Sequence, residues 1–131
     1  MDYSRTVTLD LPYAAAVPRV KEAFREQGFG TLTEIDVRAT LREKIGAEME
    51  DYVILGVCNP HLAHRALEID RRIGALLPCT VVVRALPDGR TLVQALDPDV
   101  MAHLTELPEL KPVAEEAGTR VRAALASLAG E

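Results

Sequence analysis

Residues 79–96, with the sequence CTVVVRALPDGRTLVQAL, give the clearest indication of how this chain folds. Two runs rich in β-branched residues, 79–86 and 90–96, flank the tripeptide Pro-Asp-Gly at 87–89. An Asp-Gly pair readily supplies the positive φ angles that tight hairpin turns need. The segment therefore predicts two antiparallel strands joined as a β-hairpin.

Three more strands are predicted before this hairpin. Residues 5–11 alternate hydrophobic and polar side chains, which is typical of a half-buried strand, and a shorter strand is predicted over 31–35. The run 52–58, YVILGVC, is apolar on both faces. It is therefore either a central strand covered on both sides or a strand whose second face meets a partner.

Helices are predicted between the strands, and three of them begin at a recognisable cap. Asp36, Asn59 and Asp97 each stand where a side-chain oxygen can accept from unpaired backbone N–H groups at a helix start. The helix after Asn59 is predicted to run to about Arg72 and to bury Ile69 on its apolar side. The last helix carries an apolar stripe made of Leu110, Val113, Ala117, Val121, Leu125 and Leu128.

This order of elements favours one α+β domain over residues 1–131. A hairpin and short crossovers indicate a mostly antiparallel sheet with helices against one face, rather than a doubly wound α/β fold. The 131 residues are 48% hydrophobic and 27% charged, which is globular composition. No repeat or linker divides the chain.

Charge and hydropathy exclude several classes of partner. The net charge of −5, from 15 basic and 20 acidic residues, has the wrong sign for nucleic acid. The chain has no signal-like start and no run of 18 apolar residues, so no membrane association and a cytoplasmic location are predicted. A reducing compartment would keep the two cysteines as thiols.

Four segments together resemble the domain-of-unknown-function 302 family, a group of uncharacterised bacterial and archaeal proteins. They are residues 28–36, 52–60, 77–83 and 97–101, and the similarity extends over about 3–128. The resemblance implies a small α+β domain with a curved, mostly antiparallel sheet of the TATA-binding-protein-like type, often seen as a homodimer. It implies no reaction.

Cys58 is the most suggestive residue for chemistry, because it precedes the start of a predicted helix, where the helix dipole favours a thiolate. Burial acts in the opposite direction, and it favours an inert core cysteine. The spacing of Cys58, His61 and His64 does not match a common closed zinc site, so neither a metal nor a cofactor is predicted. Asp97 has a role as a cap, so its pairing with His103 needs no catalytic explanation, and an enzyme is not favoured.

The sequence leaves three functional hypotheses open. The first is a non-enzymatic homodimer that binds a small, partly apolar ligand or a protein partner. Its predicted site contains Cys58, Asn59, Pro60, Cys79 and Met101. The second is a thiol-dependent redox or sulfur-handling protein that uses Cys58, with Cys79 as the resolving residue. The third is a purely structural interaction module in which both cysteines fill the core.

Overall fold

The structure, a computed structural model, describes residues 2–130, and these form five strands and five α-helices with two short 3-10 helices. The strands are β1 (Ser4–Leu9), β2 (Gly30–Asp36), β3 (Tyr52–Cys58), β4 (Cys79–Ala85) and β5 (Thr91–Leu96). The α-helices are α1 (Tyr13–Glu26), α2 (Val37–Ile45), α3 (Pro60–Ile69), α4 (Asp99–Thr105) and α5 (Lys111–Ala129). The 3-10 helices are Arg71–Leu76 and Pro108–Leu110.

The strands form one antiparallel sheet in the order β1-β5-β4-β3-β2. The predicted hairpin joins β4 to β5, and Gly89 at its turn has a φ of 85°. The backbone N–H of Leu86 donates to the carbonyl of Arg90 at 2.9 Å and closes the turn. The predicted α+β fold with an antiparallel sheet is confirmed.

One face of the sheet, called the helix face, carries the core. Val83 and Val93 are fully buried on it and are paired directly across β4 and β5. Helices α1 and α5 pack against this face and against each other. Every member of the stripe predicted for the last helix is buried in this core, from Leu110 to Leu128.

The helix predicted after Asn59 is shorter than expected. Helix α3 ends at Ile69, because the Asp70 carboxylate accepts a hydrogen bond from the Arg72 backbone N–H at 2.9 Å and starts a 3-10 turn. The change of helix type rotates the chain, so Ile73 is buried but Ile69 is 37% exposed. The predicted end near Arg72 and the predicted burial of Ile69 were both wrong.

The opposite side of the sheet, called the open face, has a different character. Strand β3 alternates across the sheet: Val53, Leu55 and Val57 are buried on the helix face, while Tyr52 and Ile54 are only partly buried on the open face. The described helices lie on the other side of the sheet. The structure therefore leaves the second side of this apolar strand without a helix over it.

Helix α2 is placed at the β2 edge of the sheet and contributes little to the core. The Asp36 side chain accepts from the Ala39 N–H at 2.9 Å, so this cap was predicted correctly, and Gly46 ends the helix with a φ of 68°. None of its residues is buried, and Ile45 is 74% exposed. Neighbouring β2 is exposed along its whole length.

Candidate functional site

A small cavity lies where the ends of β3 and β4 meet the helices. Its volume is about 20 Å³. Its walls come from separate parts of the chain: Phe29, Val57, Cys58, Asn59, Leu62, Ala63, Ala66, Leu77, Cys79, Met101, Val113 and Ala117. None of these residues is charged, and Asn59 is the single amide among them.

Four of the five residues predicted as a site line this cavity, namely Cys58, Asn59, Cys79 and Met101. Pro60 does not line it. It is exposed at the first position of α3, where its missing N–H costs no helical hydrogen bond. The structure therefore brings together two strand ends, a helix cap and α4 at one point.

The sheet register places the two cysteines near each other. Val57 of β3 is the direct partner of Cys79 in β4, so Cys58 is one residue beyond the paired position. Both thiols are free and both residues are partly exposed. Met101 reaches the cavity from α4 and is 5% exposed.

Asn59 lines the cavity at the start of α3. Its Oδ1 accepts from the Leu62 N–H at 3.2 Å, and its backbone carbonyl accepts from the Ala63 N–H at 2.9 Å, so it caps α3 as predicted. A Cβ atom at Gly28 would lie 2.8 Å from Asn59 Nδ2, and Gly28 has a φ of 87°. Only glycine fits both the conformation and the close approach, so Gly28 helps to fix the position of Asn59.

Burial weakens the acidity of both thiols. Burial, with a smaller contribution from the nearby Cys58 thiol, raises the pKa of the Cys79 thiol to about 11. Burial also raises the pKa of Cys58. Both side chains are therefore mainly protonated at neutral pH, and the dipole of α3 does not overcome the loss of hydration.

The other candidate residues are placed elsewhere. The side chain of His64 is 74% exposed, and its Nε2 lies 3.4 Å from Glu68 Oε1. The carboxylate of Asp97 accepts from the Asp99 N–H at 3.0 Å and pairs with Arg5 Nε at 3.1 Å. Within residues 2–130, no three His, Cys, Asp or Glu side chains are grouped so as to hold a metal ion.

Sequence reasoning missed the hydrophobic walls of the cavity. Phe29 and Leu77 follow turns, and Val113 and Ala117 belong to the core stripe of α5. A stripe at helical spacing predicts burial but not which neighbour it meets. The sequence therefore predicted that Val113 and Ala117 are buried, but not that they line a cavity.

A second candidate surface lies on the open face. Directly paired residues form a row across four of the strands, and these are Ile54, Val82, Gln94 and Thr6, with Ile35 of β2 next to Ile54. Ile35 is 48% exposed. A shallow depression of about 240 Å³ adjoins this row and is lined by Tyr3, Ser4, Tyr52, Thr80, Val82, Gln94, Ala95 and Leu96.

Comparison with known proteins agrees with the resemblance. The model of the family described as "Domain of unknown function DUF302" matches residues 5–128. A solved structure of an uncharacterised conserved DUF302 protein from Bacillus stearothermophilus is 30% identical, with a TM-score of 0.89, and the match covers 98% of this chain and 99% of that one. No curated protein matches the chain.

No described helix is both long enough and apolar enough to span a membrane.

Proposed function

Because this chain belongs to the DUF302 family, whose description gives no activity, we propose a function from its geometry: a non-enzymatic binding protein that works as a homodimer. The open face is the dimer interface, and the cavity at Cys58 and Cys79 is the ligand site. The observation that carries the proposal is the composition of the open face.

The open face is depleted in charge. Its strand residues are Ser4, Thr6, Thr8, Thr33, Ile35, Tyr52, Ile54, Gly56, Thr80, Val82, Arg84, Leu92, Gln94 and Leu96. Arg84 is the single charged residue in this set, in a chain that is 27% charged. Arg84 lies 3.6 Å from Glu50, so much of its charge is balanced locally. Loss of charge at the centre of a surface is a mark of protein interfaces.

A second copy of this chain fits the open face better than a charged partner. Ile54 and Val82 lie at its centre, and Ser and Thr hydroxyls, which both donate and accept, lie around them. A two-fold axis through such a surface brings apolar side chains onto apolar side chains without like-charge repulsion. Two antiparallel sheets commonly pack face to face in this way.

The size of the face is near the lower limit for a specific dimer. Five strands spaced by about 4.8 Å and about 20 Å long give a plane of about 480 Å² per copy. Two copies bury about 1,000 Å², which is close to the minimum for a specific interface. Tyr3 and Leu32, which are 67% and 66% exposed, add apolar area near its margins.

The ligand site is supported by the convergence of Cys58, Asn59, Cys79 and Met101 on one cavity. The same cavity favours the second candidate, a thiol redox function, because both cysteines line it. The raised pKa values of both thiols weigh against that candidate, since thiolates carry out thiol exchange. Binding is therefore the better-supported use of the site.

Light scattering after gel filtration tests the dimer. We expect wild-type protein to have twice the chain mass and Ile54→Lys or Ile35→Lys to be monomeric, because a lysine here would place a charge in the interface. Leu104→Lys is the matched control, since Leu104 is 65% exposed on α4, away from the sheet.

A wild-type protein that remains a monomer at high concentration would overturn the dimer. Dissociation of the protein by Leu104→Lys as strongly as by Ile54→Lys would also overturn it. Ile35 is 48% exposed in the single chain, so its variant is expected to fold even if Ile54→Lys does not.

A further inference from the structure

The depression on the open face lies near the middle of the sheet. Strand β4 is the central strand of the five, and β4 and its neighbour β5 supply five of the eight residues that line the depression. The others are Tyr3, Ser4 and Tyr52. A two-fold axis through the centre of the open face therefore brings the depressions of two copies opposite each other.

We propose that the two facing depressions form a closed chamber that binds a neutral, planar organic molecule. The inference rests on the homodimer proposed above. It adds to the cavity at Cys58 and Cys79 a second site, which is incomplete in a single chain. The ligand class is an aromatic or heteroaromatic compound that carries hydroxyl, carbonyl or amine groups.

The volume of the chamber suits a small organic ligand. One depression measures about 240 Å³, and pockets for such ligands measure about 300–1,000 Å³. Two depressions that face each other enclose up to twice the volume of one, which falls within that range. The centres of protein interfaces pack as densely as protein interiors, so a space of this size requires an occupant.

Unused hydrogen-bonding groups surround the depression. Its lining includes the hydroxyl groups of Tyr3, Ser4, Tyr52 and Thr80 and the side-chain amide of Gln94. Within residues 2–130, none of these five side chains makes a hydrogen bond to another part of the chain. Closure of the chamber removes these groups from water, so the ligand must supply hydrogen-bonding partners for them.

The lining of the depression is uncharged among the residues that the structure describes. Arg84, the single charged strand residue of the open face, lies outside the depression and pairs with Glu50 at 3.6 Å. Moving an ion from water into a site without an opposite charge costs far more than moving a neutral polar group. The chamber therefore selects neutral molecules over anions and cations.

Two tyrosine rings give the depression a preference for a planar ligand. The chain has five aromatic residues, and Tyr3 and Tyr52 are the two that line the depression. Phe24 and Phe29 are buried in the core, whereas Tyr3 is 67% exposed and its ring is available to a ligand. Aromatic rings pack favourably against other rings, so an aromatic ligand gains more from these walls than an aliphatic one of equal size.

A fluorescence titration with aminomethylcoumarin tests the site. This probe is neutral and planar, and it carries an amine and a lactone carbonyl. We expect one probe molecule per two chains, with emission shifted to shorter wavelength because the closed chamber excludes water. Aminomethylcoumarin acetate, the matched anionic probe, is expected to bind at least about tenfold more weakly, because the chamber offers it no positive charge.

Tyrosine variants provide the matched comparison. Tyr52→Phe keeps the ring and loses one hydroxyl, so it is expected to weaken probe binding by about threefold to tenfold. Tyr3→Ala removes a whole ring from an exposed position, so it is expected to fold and to weaken binding further. Tyr13 lies at the start of α1, outside the depression, so Tyr13→Phe is expected to bind the probe as the wild type does.

Probe binding is also expected to depend on the dimer. Ile35 does not line the depression, but Ile35→Lys is expected to lose probe binding because a monomer retains only half of the chamber. Leu104→Lys is expected to bind the probe as the wild type does. Since the probe binds only the dimer, it is expected to lower the protein concentration at which the wild type dimerises, which light scattering measures.

Four outcomes would overturn the chamber. These are a wild-type dimer that binds no probe, equal probe binding by the wild type and Ile35→Lys, equal effects of Tyr52→Phe and Tyr13→Phe, and equal affinity for the neutral and anionic probes. The failure of the chamber and the failure of the dimer are distinguishable. A dimer that binds no probe rejects the chamber and leaves the interface, whereas a monomeric wild type rejects the interface and with it the chamber.

Discussion

The two faces of the sheet have the same backbone pattern but differ in what covers them. Leu55, on the helix face, is fully buried, whereas its chain neighbour Ile54, on the open face, is only partly buried. Strand β3 is apolar on both sides, so its sequence alone does not distinguish them. The contrast shows that one face builds the core and that the other remains accessible to an external contact.

The strongest contrast between the faces is expected in stability. Leu55→Ala is expected to lower the free energy of unfolding by about 2–5 kcal/mol, because it leaves a cavity in a packed core. Ile54→Ala is expected to cost less than Leu55→Ala in the monomer, since its side chain is not enclosed by helices. Urea unfolding of both variants, at a concentration where the protein is monomeric, measures the difference.

An equal loss of stability for Ile54→Ala and Leu55→Ala in the monomer would contradict this difference between the faces. If the two costs become equal only at high protein concentration, the open face is buried by association. The concentration dependence therefore also tests the dimer independently of the lysine variants.

A steric contact on the open face gives the second prediction. A Cβ atom at Gly56 would lie 2.2 Å from Thr33 Oγ1 and 2.8 Å from Pro78 Cγ. Gly56→Ala is therefore expected to cost about 1–3 kcal/mol of unfolding free energy, as overpacking does. Thermal and urea unfolding measure it.

Gly30 provides the control for Gly56. A Cβ atom there would meet nothing within 4 Å, so Gly30→Ala is expected to change stability little. If Gly56→Ala and Gly30→Ala lower the unfolding free energy equally, the contact with Thr33 and Pro78 is not the cause of the loss.

A subtler effect concerns the thiols at the ends of β3 and β4. With its pKa raised from 9.0 to about 11, Cys79 is expected to react with iodoacetamide at pH 8 about 100-fold more slowly than the same thiol in unfolded protein. Its rate is expected to rise with pH until the pH exceeds about 11. Cys58→Ala leaves Cys79 as the single thiol for this measurement.

The same shift has a consequence for stability. The folded protein holds the Cys79 proton more tightly, so this contribution is fully present below the ordinary thiol pKa and is lost as the pH rises through about 11. Cys79→Ala is expected to remove that pH dependence, which urea unfolding at a series of pH values measures.

In the alkylation experiment, fast reaction of either cysteine at neutral pH would instead favour the thiol redox candidate.

Much of the fold could be predicted because its signals are local. The cap at Asp36, the Asp-Gly turn at 88–89 and the apolar stripe of α5 each depend on residues close together in the chain. The end of α3 was predicted wrongly because Asp70 uses its side chain to start a new turn. A helical repeat of hydrophobic residues does not reveal such a competing hydrogen bond.

The amino-acid sequence alone was enough to predict most of the elements and the antiparallel sheet, and to single out Cys58, Asn59, Cys79 and Met101. The packing of the folded chain was needed to show that these four line one cavity and that the cavity has room for about one water-sized sphere. It was also needed to show which side of β3 the helices cover. Turns and caps are set by neighbouring residues, whereas a cavity and an uncovered face depend on how distant elements pack.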